Sequence, residues 1–146
     1  MERSLTPLLA DSHVYSAEGR LPASVLYVGD RIVTRDAGMV RVRSVARRIH
    51  RCACVAVAAG CMGHNRPEEP LTLPADTPVL VRDWRAMALY GQPQVLLPAA
   101  RLVDGQYVRD IGIRVVETVT LDLGAPHIVY IDGLEVASAA QASVIG

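Results

Sequence analysis

Short apolar runs separated by backbone-turning residues decide what this chain can fold into. Runs at residues 13–16, 31–34, 40–45, 54–58, 79–82, 86–90, 94–97, 114–121 and 127–131 alternate or concentrate Val, Ile, Leu and Tyr in the manner of strands. Between them stand Glu18-Gly19, Asp36-Ala37-Gly38, the stretch 63–67, Gly91-Gln92-Pro93, Asp104-Gly105, Gly124-Ala125-Pro126 and Asp132-Gly133. Gly, Pro, Asn and Asp each favour tight turns for a steric or hydrogen-bonding reason. Regular short strands punctuated this way predict an all-β domain. Residues 97–103, with Pro98 near the start, predict one helical turn. Residues 1–10 read as a frayed lead-in, 11–138 as the domain and 139–146 as a loose tail.

Composition fixes the kind of core. Hydrophobic residues make up 51% of the 146, yet there is no Phe and one Trp. The interior must therefore be built from Val, Leu, Ile and Ala, types that suit strands. Trp84 and Tyr90 read as anchors of a small satellite cluster. Fifteen basic residues, all Arg, balance fifteen acidic ones. That neutrality gives no global field to recruit nucleic acid or an anionic surface. No stretch approaches the roughly 20 apolar residues that cross a bilayer, and the N-terminus has no secretory apolar run. A cytoplasmic protein without membrane insertion is expected.

Taken in order, the motifs carry a family resemblance. Gly19-Arg20-Leu21-Pro22 is followed by Leu26-Tyr27-Val28-Gly29-Asp30, an L-x-x-G-D signature that continues into Val33-Thr34-Arg35-Asp36-Ala37-Gly38. Ala58-Ala59-Gly60-Cys61-Met62-Gly63 precedes Leu71-Thr72-Leu73 and Val79-Leu80-Val81, and His127 opens a block that closes on Asp132-Gly133-Leu134. From about residue 11 to residue 138 this set resembles the bacterial branch of the Hint (Hedgehog/intein) superfamily. The resemblance implies a compact Hint-like β-domain of short twisted strands. It also implies protein self-cleavage or splicing. In that chemistry a first-position Cys or Ser attacks the preceding carbonyl. A T-x-x-H motif polarises the amide and protonates its leaving nitrogen, and in inteins a terminal His-Asn releases the C-terminal flank.

The reactive positions implied by the resemblance are substituted. The nucleophile falls on Pro7 or its neighbour Leu8, T-x-x-H on Pro74 and Thr77, and the terminal pair on Ala137 and Ser138; His127 is retained. None of Pro7, Pro74 and Thr77 supplies a thiol or an imidazole. The expectation is a degenerate Hint domain that has lost autoprocessing and works, without a cofactor, as a non-catalytic interaction or structural module in a larger assembly. The alternative is self-cleavage by a displaced nucleophile, Ser4, Thr6 or Ser12, served by His13 or His127.

Two further sets stand apart from that resemblance. Cys52, Cys54, Cys61 and His64 form a C-x-C…C-x-x-H pattern that a zinc ion would accept if extended backbone put both thiols of the first pair on one face; buried apolar packing of the cysteines is the plainer reading. Arg41, Arg43, Arg47, Arg48, His50 and Arg51 form the one basic cluster. Arg41 and Arg43 are expected on one face of a strand. Such a cluster can dock phosphate or an acidic partner, a solvated outer face is the plainer reading, and the lack of interleaved aromatics argues against nucleic acid. Glu68-Glu69, flanked by prolines, reads as a solvated loop.

Overall fold

The computed structural model describes residues 4–139. The strands are β1 (Pro7–Leu9), β2 (His13–Ser16), β3 (Gly19–Pro22), β4 (Arg31–Thr34), β5 (Gly38–Arg41), β6 (Ser44–Val57), β7 (Leu71–Pro74), β8 (Pro78–Val81), β9 (Val95–Pro98), β10 (Val108–Asp122), β11 (Ile128–Ile131) and β12 (Leu134–Ala137). The fold is all-β, as expected. One sheet has the order β1-β10-β6-β7. The other runs β3-β2-β4-β11-β12-β8-β9, with β5 added beside β4. All the pairings are antiparallel.

The frame of the first sheet is a long pairing of β6 with β10, from Ser44↔Asp122 to Val57↔Val108, interrupted by a bulge between Asp110 and Gly112. Gly112 has φ +77°, which a residue with a Cβ adopts only under strain. The core between the sheets is aliphatic: Leu26, Ile32, Ile131, Val14, Val55, Val79 and Val136 are fully buried or nearly so. With no Phe, the density of the interior comes from interlocked branched side chains.

Several expectations give way. Residues 7–9 are not frayed. They form β1, bound to β10 by Pro7↔Thr120, Leu8↔Val119 and Leu9↔Thr118, and burial of Leu8 and Leu9 holds them there. Ala139 bridges back to Leu5, while the rest of the expected tail lies outside the described residues. Residues 86–90 are not a strand but most of helix α1 (Trp84–Tyr90). Asp83 caps it by accepting from the Arg85 N–H, and Gly91 ends it in the left-handed conformation. Trp84, 72% exposed on that helix, anchors no cluster, although Tyr90 packs against the core. The run 40–45 breaks after Arg41, because Val42 turns inward and donates its N–H to the Asp30 carbonyl. The helical turn expected in 97–103 is a 3-10 turn at Ala99–Leu102. No helix among the described residues is long and apolar enough to cross a membrane.

Candidate functional site

The two ends of the described chain meet. Leu5 bridges Ala139, Thr6 donates its N–H to the Ser138 carbonyl at 3.0 Å, and Thr6 Oγ1 donates to the Ala137 carbonyl at 2.7 Å. Ser138 is tied in turn to His127: its N–H donates to the His127 carbonyl (2.8 Å), and its Oγ accepts from the His127 N–H (2.9 Å). The antiparallel register of β12 with β8, set by Val136↔Val79, carries Thr77 level with Ser138. Four of the positions implied by the resemblance, Pro7, Thr77, Ala137 and Ser138, therefore belong to one region. Pro74 ends β7 opposite Cys54.

The chemistry of this region is sparse. Pro7 offers no heteroatom. The Thr6 hydroxyl is 6% exposed and already engaged. Thr77, 3% exposed, carries a hydroxyl with no hydrogen-bond partner. Leaving such a group unpaired costs about 1–3 kcal/mol. A side chain that stood here for catalysis would need a partner to hold or move its proton, and Thr77 has none. The His127 ring is directed elsewhere: Nδ1 lies 2.9 Å from Asp36 Oδ2, and Asp36 Oδ1 accepts from the Ile128 N–H at 2.9 Å.

Asp36 sets a measurable pH dependence. Burial works against its charge, but the Ile128 N–H and the His127 ring outweigh it and hold the carboxyl below its usual value. A depressed folded-state pKa adds stability above the unfolded value and loses it as pH falls through the folded one. Asp36→Ala is therefore expected to cost only about 0.5 kcal/mol near neutrality, because the carboxylate is 42% exposed and solvent screens its charge. The gap from the parent should close as the pH drops below about 4. Urea unfolding at a series of pH values checks this, and a gap that does not change with acid contradicts it.

The displaced candidates do not assemble either. Ser4 is exposed. Ser12 and His13 line a broad groove of about 890 Å³ between β1, β7 and β10. Ser12 is buried, whereas His13 turns to Asp132, its Nδ1 3.4 Å from Oδ1. Among the described residues, the hydroxyls of Ser4, Thr6 and Ser12 make no hydrogen bond to an imidazole. A hydroxyl–imidazole contact that sequence reading overlooked, His50 Nε2 to Thr118 Oγ1 at 3.2 Å, spans β6 and β10. Thr118 is 2% exposed, which denies it a substrate. Beside the groove, Glu68 is exposed but not simply solvated, since the Tyr15 hydroxyl donates to it. Burial first, and then that carboxylate, push Tyr15 up to about 12.

The thiols divide. Cys52 and Cys54 share a face of β6 with Sγ atoms 3.6 Å apart, but Cys61 and His64 sit in the loop that follows. Among the described residues no three His, Cys, Asp or Glu side chains converge as a metal site. Burial and the neighbouring Cys52 push Cys54 up to about 11, and burial raises Cys61 as well. Both are held as thiols, not as the thiolates that attack carbonyls or ligate metals.

The arginine cluster is spread over several faces. Arg41 ends β5 and reaches the Gly29 carbonyl, while Arg43 lies outside any strand with its guanidinium against Gly124, so the two do not share a strand face. Arg47 and Arg51 fall on one side of β6 and Arg48 and His50 on the other, by the period of two. Arg47 also reaches the Leu26 carbonyl.

Two antiparallel sheets, with the ends of the described chain meeting between them, define an all-β class of domain. The family model described as the Hint domain matches residues 6–143, and the chain belongs to that family. Solved structures agree on the fold. A bacterial intein-like domain from Clostridium thermocellum is similar at 15% identity and TM-score 0.58, covering 94% of this chain and 100% of its own. The MchDnaB-1 intein is similar at 14% identity and TM-score 0.57, with 88% and 98% covered. A DnaB intein from Synechocystis sp. PCC 6803 gives 11% identity and TM-score 0.54, with 92% and 99% covered. A comparison with curated proteins finds no match.

Proposed function

We propose that this Hint domain does not process itself and serves as a non-catalytic module that engages another protein. One observation carries the reading: where the ends of the described residues meet, none of those residues pairs a nucleophile with a base. Thr6 and Ser138 spend their hydroxyls on backbone partners, and Thr77 stands without one. Acyl transfer needs an activated nucleophile and a proton donor for the leaving nitrogen, and this arrangement supplies neither.

A contact surface is at hand on the long β6–β10 pair. Ile49, Ile113 and Val115 are 72%, 71% and 68% exposed, and Arg47 and Arg51 flank Ile49 on the same side. Apolar area beside arginine is the composition that protein contacts favour. This supports a partner on that face, to be sought first among proteins that co-purify with the domain.

The test is a fusion carrying an unrelated protein at each end, incubated at length with and without thiol and followed by intact mass. A single full-length species is expected. A fragment ending at either junction overturns the proposal and restores the self-cleaving reading.

A further inference from the structure

Strand β12 reads Leu-Glu-Val-Ala, and its glutamate, Glu135, is 3% exposed. An ionised carboxylate is costly there unless it is paired. Glu135 has three partners. Arg82 donates to Oε1 from Nε (2.9 Å) and Nη2 (2.6 Å), and Arg66 Nη1 donates to the same oxygen. Arg35 Nε lies 2.7 Å from Oε2, an ion pair without hydrogen-bond alignment. The three arginines come from separate places: the turn after β4, the loop after β6, and the residue after β8.

The arginine side chains are 24–35% exposed while the Glu135 side chain is 3% exposed, so the cations are the more open side of the cluster. Three cations on one anion leave an excess of two. Two acids of the surrounding loops have cations of their own, Asp83 in Arg85 and Asp132 in Arg20, each at 2.6 Å, while Glu68 accepts from the Tyr15 hydroxyl and does not line the cavity. A cavity of about 60 Å³ opens beside Arg66, Arg82 and Glu135, with His64 and Asp83 on its wall, the latter carboxylate being neutralised by Arg85. That is room for about two waters or one small polyatomic ion. Each guanidinium carries five N–H donors in a planar fork, and Glu135 uses only part of them.

The geometry points to a binding site for one small oxyanion, a carboxylate or a phosphate group, held in that cavity by Arg66 and Arg82, while Arg35 pairs with the other oxygen of Glu135. Glu135 is its internal counter-ion and keeps the three forks together when the site is empty. Planar forks read oxyanions bidentately, which a point charge does not. The site is independent of the contact face on the β6–β10 pair and of any self-processing.

The experiment uses the whole chain with inorganic phosphate in one arm and acetate in the other, at ionic strength held constant with sodium chloride. Arginine side-chain N–H signals are followed by NMR. Saturable shifts at Arg66 and Arg82 are expected with at least one anion. Phosphate alone assigns the site to a phosphoryl group and acetate alone to a carboxylate. Arg66→Ala is expected to weaken binding about tenfold, the loss of one charge-assisted hydrogen bond. Glu135→Gln, which removes the internal competitor, is expected to tighten it, and Arg101→Ala to leave it unchanged. Should Arg66→Ala fail to fold, Arg66→Lys keeps the charge, loses the fork and is expected to bind more weakly. Shifts no larger than chloride produces, or affinity unmoved by the Arg66 substitutions, overturn the assignment.

Discussion

Replacing Glu135 with alanine is expected to cost the domain about 3 kcal/mol of stability. The carboxylate is the shared acceptor of Arg66 and Arg82 and the ion-pair partner of Arg35. Without it, three guanidiniums crowd one another with no counter-charge, and β12 gains a void in its buried run. The figure sits at the low end for a broken buried pair because the arginines keep a quarter to a third of their surface in water and can swing outward. Against a typical total of about 5–15 kcal/mol, it is a large share. Equilibrium urea unfolding with an unchanged slope measures it. A loss below about 1 kcal/mol would mean that solvent replaces the carboxylate fully.

Ile131→Ala is expected to do at least as much damage, about 4 kcal/mol. Ile131 is fully buried on β11, opposite Val14 of β2 and Leu134 of β12. Strands on both sides fix the backbone, so the hole left by the side chain cannot close by a local shift. None of the buried core residues is aromatic, so no ring stands ready to lean into the gap. Ile131→Val, removing one methylene, should cost only about 1 kcal/mol. Urea midpoints for the pair separate the two, and equal costs would count against a tightly packed interior.

What could be read from the residues was mainly the turns and the alternating strands. Asp36-Ala37-Gly38 and Asp132-Gly133 mark the two hairpins that the structure builds between β4 and β5 and between β11 and β12. Helix α1 was misread because Ala86-Met87-Ala88-Leu89-Tyr90 is apolar in both periods. Asp83 at its start and Gly91 at its end were the signals that distinguish a capped helix. Residues 7–9 went unread because a three-residue strand is decided by its neighbours in the sheet. Glu135 was invisible for a different reason. A charged residue in a four-residue run reads as solvent-facing, and its three arginines lie 53 to 100 positions away along the chain. The fold family followed from the order of the motifs. The arrangement of hydroxyls at the meeting of the ends needed coordinates, since Thr77 without a partner and Thr6 with one look alike in a sequence.

The pairing of β6 with β10 also governs how fast the domain reaches its native state. Arg48 and Thr118, level with each other in that register, are 70 residues apart. The chain must close so large a loop before the ladder can zip, and the entropy is lost before the contacts reward it. Topologies dominated by such distant partners assemble in milliseconds to seconds rather than microseconds. In the interval, β6 exposes Ile49 and β10 exposes Ile113 and Val115 as unpaired edges, the moment at which the molecule is most open to aggregation.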